Sequence, residues 1–249
     1  MEDLSVQHHF MKRYVLATLI AIELLMSFSF LGYFHVEPIS LTIAYLPVLL
    51  AGALLGPWEA TAVGTVFGLA SMWKASAGYV MPSDQLFSPL FSGNPLGSLV
   101  LSVGSRALFG LFSGLLYAGA KRIRLCGVWV GLVSFFGRPI HSLLVYSAMA
   151  LFFPEAGYGP GIVFTEFLSQ STVLSNLGTA AVVLLIWGAS RTQTWHRIQQ
   201  RIELSFSIHT RERYRRLTIV VMAGLTLAAA FAVTVYFVHR IDYVLSGRG

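Results

Sequence analysis

Five residues with useful chemistry fall where the sequence offers them little water. Glu23 lies near the middle of an apolar run over residues 14–34, and Arg106 near the middle of another over 96–120. Arg138 and His141 straddle the middle of the run over 127–153, and Asn176 is central in the run over 166–189. An ionisable side chain at membrane depth costs roughly 2.5 kcal/mol or more, so by default it marks a function or a pairing. Two chemistries stay open. Two guanidiniums, which do not deprotonate, would hold a carboxylate or a phosphate between helices. Alternatively Glu23 pairs with Arg106 or Arg138 and ties helices together. One carboxylate against two arginines leaves a positive charge over, which favours a bound anion. His141 follows Arg138 by three, so both lie along one helical face; it is either a hydrogen-bonded packing residue or a ligand contact. Ser169 and Gln170, near the outer end of the 166–189 run, could join Asn176 in hydrogen-bonding a polar ligand.

The elements that position these groups follow from composition. Of 249 residues, 55% are hydrophobic and 11% charged, against about 25% charged in soluble domains. The mean hydropathy is +0.69. Long apolar runs with short polar punctuation exclude a soluble enzyme and a disordered chain, and predict a polytopic all-α membrane protein. Spans are expected at about 14–34, 40–55, 60–74, 96–120, 127–153, 166–189 and 217–238. The first is no removable signal peptide: it is too long, carries Glu23 and lacks a small-residue cleavage site.

The net charge of +6 and pI of 9.7 would suggest nucleic acid in a soluble protein. Here Lys and Arg cluster at membrane edges, which points to orientation and lipid headgroups instead. With the N-terminus inside, the inner segments hold twelve Lys and Arg and the outer ones three, Lys74, Arg240 and Arg248. The N-terminus is therefore expected in the cytoplasm. Over 194–205, Trp195, Ile198 and Ile202 recur at helical spacing among Arg197, Gln200, Arg201 and Glu203, as in an amphipathic helix on the inner surface. The single cysteine, Cys126, excludes a disulfide framework.

The outer connections are aromatic and sparse in charge. Tyr33, His35 and Glu37 belong to the first, Trp73, Tyr79, Phe87, Phe91 and Asn94 to the second, Tyr158 and Phe164 to the third. An interfacial aromatic belt explains most of them. The connection over 75–95 is longer than a return crossing needs, and long structured loops are often lids; Trp73, His35 and Asn94 are expected to cover a pocket. No metal-ligand spacing, Walker-type loop or nucleophile elbow is present, so neither an enzyme nor a resident cofactor or metal is expected.

Residues 39–69, Ile-Ser-Leu-Thr-Ile-Ala-Tyr-Leu-Pro-Val-Leu-Leu-Ala-Gly-Ala-Leu-Leu-Gly-Pro-Trp-Glu-Ala-Thr-Ala-Val-Gly-Thr-Val-Phe-Gly-Leu, resemble the second and third helices of S components. These are the substrate-binding membrane subunits of energy-coupling factor (ECF) vitamin transporters. Leu46-Pro47, Ala51-Gly52, Gly56-Pro57, Gly64 and Gly68 carry the resemblance, which covers about residues 10–190. It implies a six-helix bundle with an outward-facing pocket under loop lids, tight binding of a vitamin-like molecule, and docking on a coupling protein with its ATPase subunits. In the family, small residues of the first helix make that contact; Ala17 and Ala21 stand at the matching spacing, and small residues four apart let helices approach.

One departure matters. S components end after the sixth helix, whereas here a basic linker (191–216) and a seventh apolar run with a short tail (217–249) follow a six-span domain (10–190). That layout looks like bacterial receptors in which an S-component-like region feeds a signalling domain. The expectation is a multi-pass protein of the bacterial cytoplasmic membrane. It would bind a small vitamin-like or anionic ligand from outside through Glu23, His35, Trp73, Asn94, Arg106, Arg138, His141, Gln170 and Asn176, for ATP-driven uptake. The alternative is ligand sensing without transport.

Overall fold

The computed structural model describes residues 2–28, 33–36, 39–76, 82–120, 123–195 and 197. In chain order these form α1 (Glu2–Phe28), β1 (Tyr33–Val36), β2 (Ile39–Thr42), α2 (Leu46–Leu54), α3 (Pro57–Ala75), α4 (Pro82–Gln85) and α5 (Pro95–Leu99). A π-helical turn over Val100–Gly104 joins α5 to α6 (Ser105–Gly119). Then come α7 (Cys126–Phe135), α8 (Gly137–Phe152), a 3-10 turn over Pro154–Ala156, α9 (Gly161–Phe167) and α10 (Gln170–Ser190). The fold is helical, with one two-stranded hairpin among the described residues. In it Tyr33 faces Thr42 and Val36 faces Ile39 in antiparallel register.

Among the described residues, two stretches are long and apolar enough to cross a membrane, Pro95–Gly119 and Gln170–Ser190, and α7 with α8 makes a third if the bent pair is one span. The bend, 41°, falls at the junction of the two helices. Pro139, in the first turn of α8, explains it: proline has no N–H and its ring clashes with the carbonyl four residues back, that of Phe135.

The second expected span is corrected. Its first part, Ile39–Thr42, is strand β2, and only Leu46–Leu54 is helical. The segments Tyr-Phe-His-Val and Ile-Ser-Leu-Thr are rich in aromatic and β-branched residues, which fit a strand better than a helix. Nine helical residues rise only about 13 Å, well short of a hydrocarbon core of about 30 Å. The first run likewise ends its helix at Phe28, and Tyr33 and Phe34 belong to β1. The surface helix expected over 194–205 is helical at Gln193–Trp195 and Arg197; its remainder and the run over 217–238 lie outside the described residues.

Caps and breakers place the ends. Gly56 adopts φ 132 between α2 and α3, a conformation that side chains disfavour, and Pro57 opens α3 with its pre-set φ. Asn94 caps α5 by accepting from Gly97 N at 3.0 Å, and Ser169 caps α10 through Thr172 N at 3.3 Å. Lys12 of α1 and Glu59 of α3 pair at 2.6 Å.

The core is organised by backbone-to-backbone contact between α3 and α6, which run antiparallel. A Cβ on Gly114 would overlap Pro57, one on Gly110 the Ala60 carbonyl, one on Gly64 the Arg106 carbonyl, and one on Gly68 would lie 2.6 Å from Val103 Cα. The two Gly-x-x-x-Gly pairs are therefore the contact surface itself. Gly110→Ala should lower the melting midpoint of the detergent-purified protein by several degrees, since overpacking costs about 1–3 kcal/mol. Gly178→Ala, in the interior of α10 with nothing within 4 Å of a new Cβ, should be neutral or stabilising by up to about 1 kcal/mol. Equal midpoints for the two variants would sink this account of the helix contact.

Candidate functional site

Glu23 is fully buried on α1 (0% exposed). Ser27, one turn later, donates to its Oε1 at 3.0 Å, while Oε2 has no partner. Arg106 opens the first turn of α6, also buried. Its Nη1 donates to the carbonyls of Ser102 at 2.9 Å and Leu101 at 3.4 Å. Both belong to the π-helical turn, where Ser105 N reaches back to Val100 O, so carbonyls are presented differently from a regular helix. The guanidinium also lies over the rings of Phe67 (4.8 Å) and Phe87 (5.2 Å), a cation–π arrangement. Arg106 is the cation whose field acts on Glu23.

His141 closes the group from α8. Its ring stacks on Phe67 at 5.8 Å and meets Phe109 edge-on at 5.2 Å. Its Nε2 is buried without a partner. Arg106 and Arg138 both act on it electrostatically. Arg138, one turn before His141, is half-buried. Arg106 and His141 thus meet on Phe67, with Glu23 within the field of Arg106, and α1, α3, α6 and α8 each supply one of the four. Arg106 is held by the chain's own carbonyls and rings, which makes it an internal anchor; Arg138 is the more open cation.

The buried face of α10 carries a polar stripe of Thr172, Ser175, Asn176 and Thr179. Thr179 Oγ1 is bonded to Tyr45 OH at 2.9 Å. Asn176 is 0% exposed, and neither of its amide atoms nor Ser175 Oγ has a hydrogen-bond partner.

The remaining expected residues fall elsewhere. Gln170 is exposed at the start of α10, and Trp73 is 59% exposed at the end of α3. Asn94, besides capping α5, donates to Phe152 O at 3.3 Å; both ends of its amide serve the fold. His35 lies in β1 opposite Ser40. Ala21 is buried against the chain's own helices, while Ala17 is partly open.

Sequence reasoning missed how the segment before α5 is fastened. Ser98 Oγ bonds Leu86 O (2.7 Å), Ser88 O (3.1 Å) and Ser92 Oγ (2.6 Å), and Ser102 Oγ bonds Phe87 O at 2.7 Å. Ser76 Oγ meets Ser88 Oγ at 2.9 Å. These serines pin the segment that lays Phe87 on Arg106. The recurrence of serine at 98, 102 and 105 was the available signal. Tyr146, also unforeseen, donates to Glu166 Oε1 at 2.8 Å and stacks on Tyr158 at 6.2 Å, joining α8 to α9. Compared with known proteins, the chain matches no protein-family model and no curated protein.

Proposed function

We propose that the chain is a multi-pass membrane protein that binds a small polar or anionic ligand between its helices from the outer side, for uptake with an ATP-driven coupling partner. The observation that carries this reading is the placement of polar and apolar side chains. On α6 the buried positions are Ser105, Arg106, Phe109, Gly110, Ser113, Gly114 and Tyr117, while Leu108, Phe112, Leu115 and Leu116 are exposed. On α10 the stripe around Asn176 is inside, and Leu174, Leu177, Val182, Leu185 and Ile186 are outside. Polar groups set into the buried helix faces, under an apolar exterior, suit lipid surroundings and a polar guest.

In this reading α1 and the α2–α3 pair pack with the longer helices to form the binding unit, and the run over 217–238 adds a further span. The resemblance of residues 39–69 to S components supports the coupling to ATPase subunits through a membrane partner. The basic linker and seventh run favour a second reading, in which occupancy is passed to a signalling partner without transport.

Denaturing extraction of the detergent-purified protein, followed by mass spectrometry, should release a small molecule in near-stoichiometric amount. Arg138→Gln should weaken rebinding of that molecule by tenfold or more, the loss expected for a charge-assisted hydrogen bond of about 1.5–3 kcal/mol. Unchanged affinity in this variant would remove Arg138 from the site, and an empty extract would count against the ligand reading itself.

Partner docking separates the two functional readings. Ala17→Leu should abolish co-purification with a coupling protein while leaving the melting midpoint near the wild-type value. Ala21→Leu should lower the midpoint, because Ala21 is covered from within. Ligand binding without uptake, and no coupling protein on the purified chain, would favour sensing over transport.

A further inference from the structure

The buried polar atoms without partners include Glu23 Oε2, His141 Nε2, Ser175 Oγ, and both Nδ2 and Oδ1 of Asn176. Leaving such an atom unmade costs about 1–3 kcal/mol, and folded proteins leave few of them without a role. On α10 their position is informative. Thr172, above them, receives a hydrogen bond from Ser169 Oγ at 2.8 Å, and Thr179, below, is bonded to Tyr45 at 2.9 Å. The two ends of the stripe are satisfied within the fold; the middle pair, Ser175 and Asn176, is not.

The inventory of donors and acceptors restricts what could satisfy the pair. Asn176 offers N–H donors and a carbonyl acceptor side by side, and Ser175 a hydroxyl that does either. A carboxylate or phosphate oxygen only accepts. It would meet Asn176 Nδ2 and leave Oδ1 without a partner. A group carrying N–H and C=O on one planar edge meets both.

We infer that Ser175 and Asn176 form a subsite for a neutral carboxamide or lactam edge, held by a two-point hydrogen bond to the Asn176 amide with Ser175 Oγ as the third contact. This rests on the ligand-binding reading above and names the chemistry of one end of the ligand. Any anionic end is left to Arg138. The site selects for a donor, so an isosteric carboxylate is rejected there.

The test uses two matched probes, benzamide and benzoate, on the full chain in detergent, with the melting midpoint as readout. Benzamide at about ten times its dissociation constant should raise the wild-type midpoint by roughly 2 °C or more. Asn176→Leu should abolish that shift without lowering the midpoint of the protein alone, because an amide without partners is replaced by an apolar group of similar size. Ser175→Ala should weaken benzamide about fivefold, the loss of one neutral hydrogen bond of about 1 kcal/mol, and gives a second reading if Asn176→Leu fails to fold. A benzamide shift that survives Asn176→Leu overturns the subsite, as does no benzamide shift in the wild type, in which case water alone meets the pair. Benzoate binding that is lost in Arg138→Gln but kept in Asn176→Leu, with no response to benzamide, would leave the ligand-binding reading standing and overturn the amide edge.

Discussion

The contact on which the other elements depend is the one between the backbones of α3 and α6. Four glycines, two on each helix, let the main chains touch over Pro57 to Gly68 on one side and Ser102 to Gly114 on the other. Large side chains there would hold the axes 8–10 Å apart. At the closer approach, Phe67 and Arg106 fall beside each other, and the arginine stem can run back to the carbonyls of the π-helical turn. α1 and α2 then pack on this pair, with Lys12 and Glu59 fastening α1 to the start of α3. The position of Glu23 opposite Arg106 follows from the same contact, since α1 rests on α3.

The distribution of polarity is compatible with apolar surroundings. α6 and α10 leave most of their leucines outside and turn in serine, threonine, asparagine and arginine along with Phe109, Tyr117, Ala180 and Val183. Apolar surroundings give no hydrophobic reward for burying leucine, so packing and hydrogen bonds decide what faces the centre. Most polar groups inside are satisfied locally: Ser113 and Ser134 bond carbonyls of their own helices, and Tyr117 reaches Ser134 at 2.8 Å. Against that background the partnerless atoms of Glu23, His141, Ser175 and Asn176 stand out.

Much of this was legible from residue type and spacing, and the exceptions have physical causes. The helices over 57–75, 95–119 and 170–190 fall on the apolar runs expected at 60–74, 96–120 and 166–189, the last of which is broken after α9 and restarts at the Ser169 cap. Mid-run placement brought Glu23, Arg106 and His141 into one expectation, and the structure groups them. Gly64 and Gly68 were visible as small residues; their partners Gly110 and Gly114 were equally visible, but which helices meet is a tertiary fact that spacing on one helix does not contain. The hairpin at 33–42 escaped because an apolar β-branched run reads as a span when hydropathy is averaged over it. Asn94 was read for its polarity, while its place just before Pro95 and three residues before Gly97 spelled a helix cap. The dual hold on Arg106, by carbonyls and by rings, depends on a π-helical turn that leaves no mark in composition.

That hold has a consequence for any function the bundle performs. Arg106 carries a full charge in a buried site, and the Ser102 and Leu101 carbonyls and the faces of Phe67 and Phe87 help to solvate it. Phe87 belongs to the segment that Ser98 and Ser102 pin down. That segment therefore forms part of the solvation shell of a buried cation, and it is costly to move unless something else takes its place.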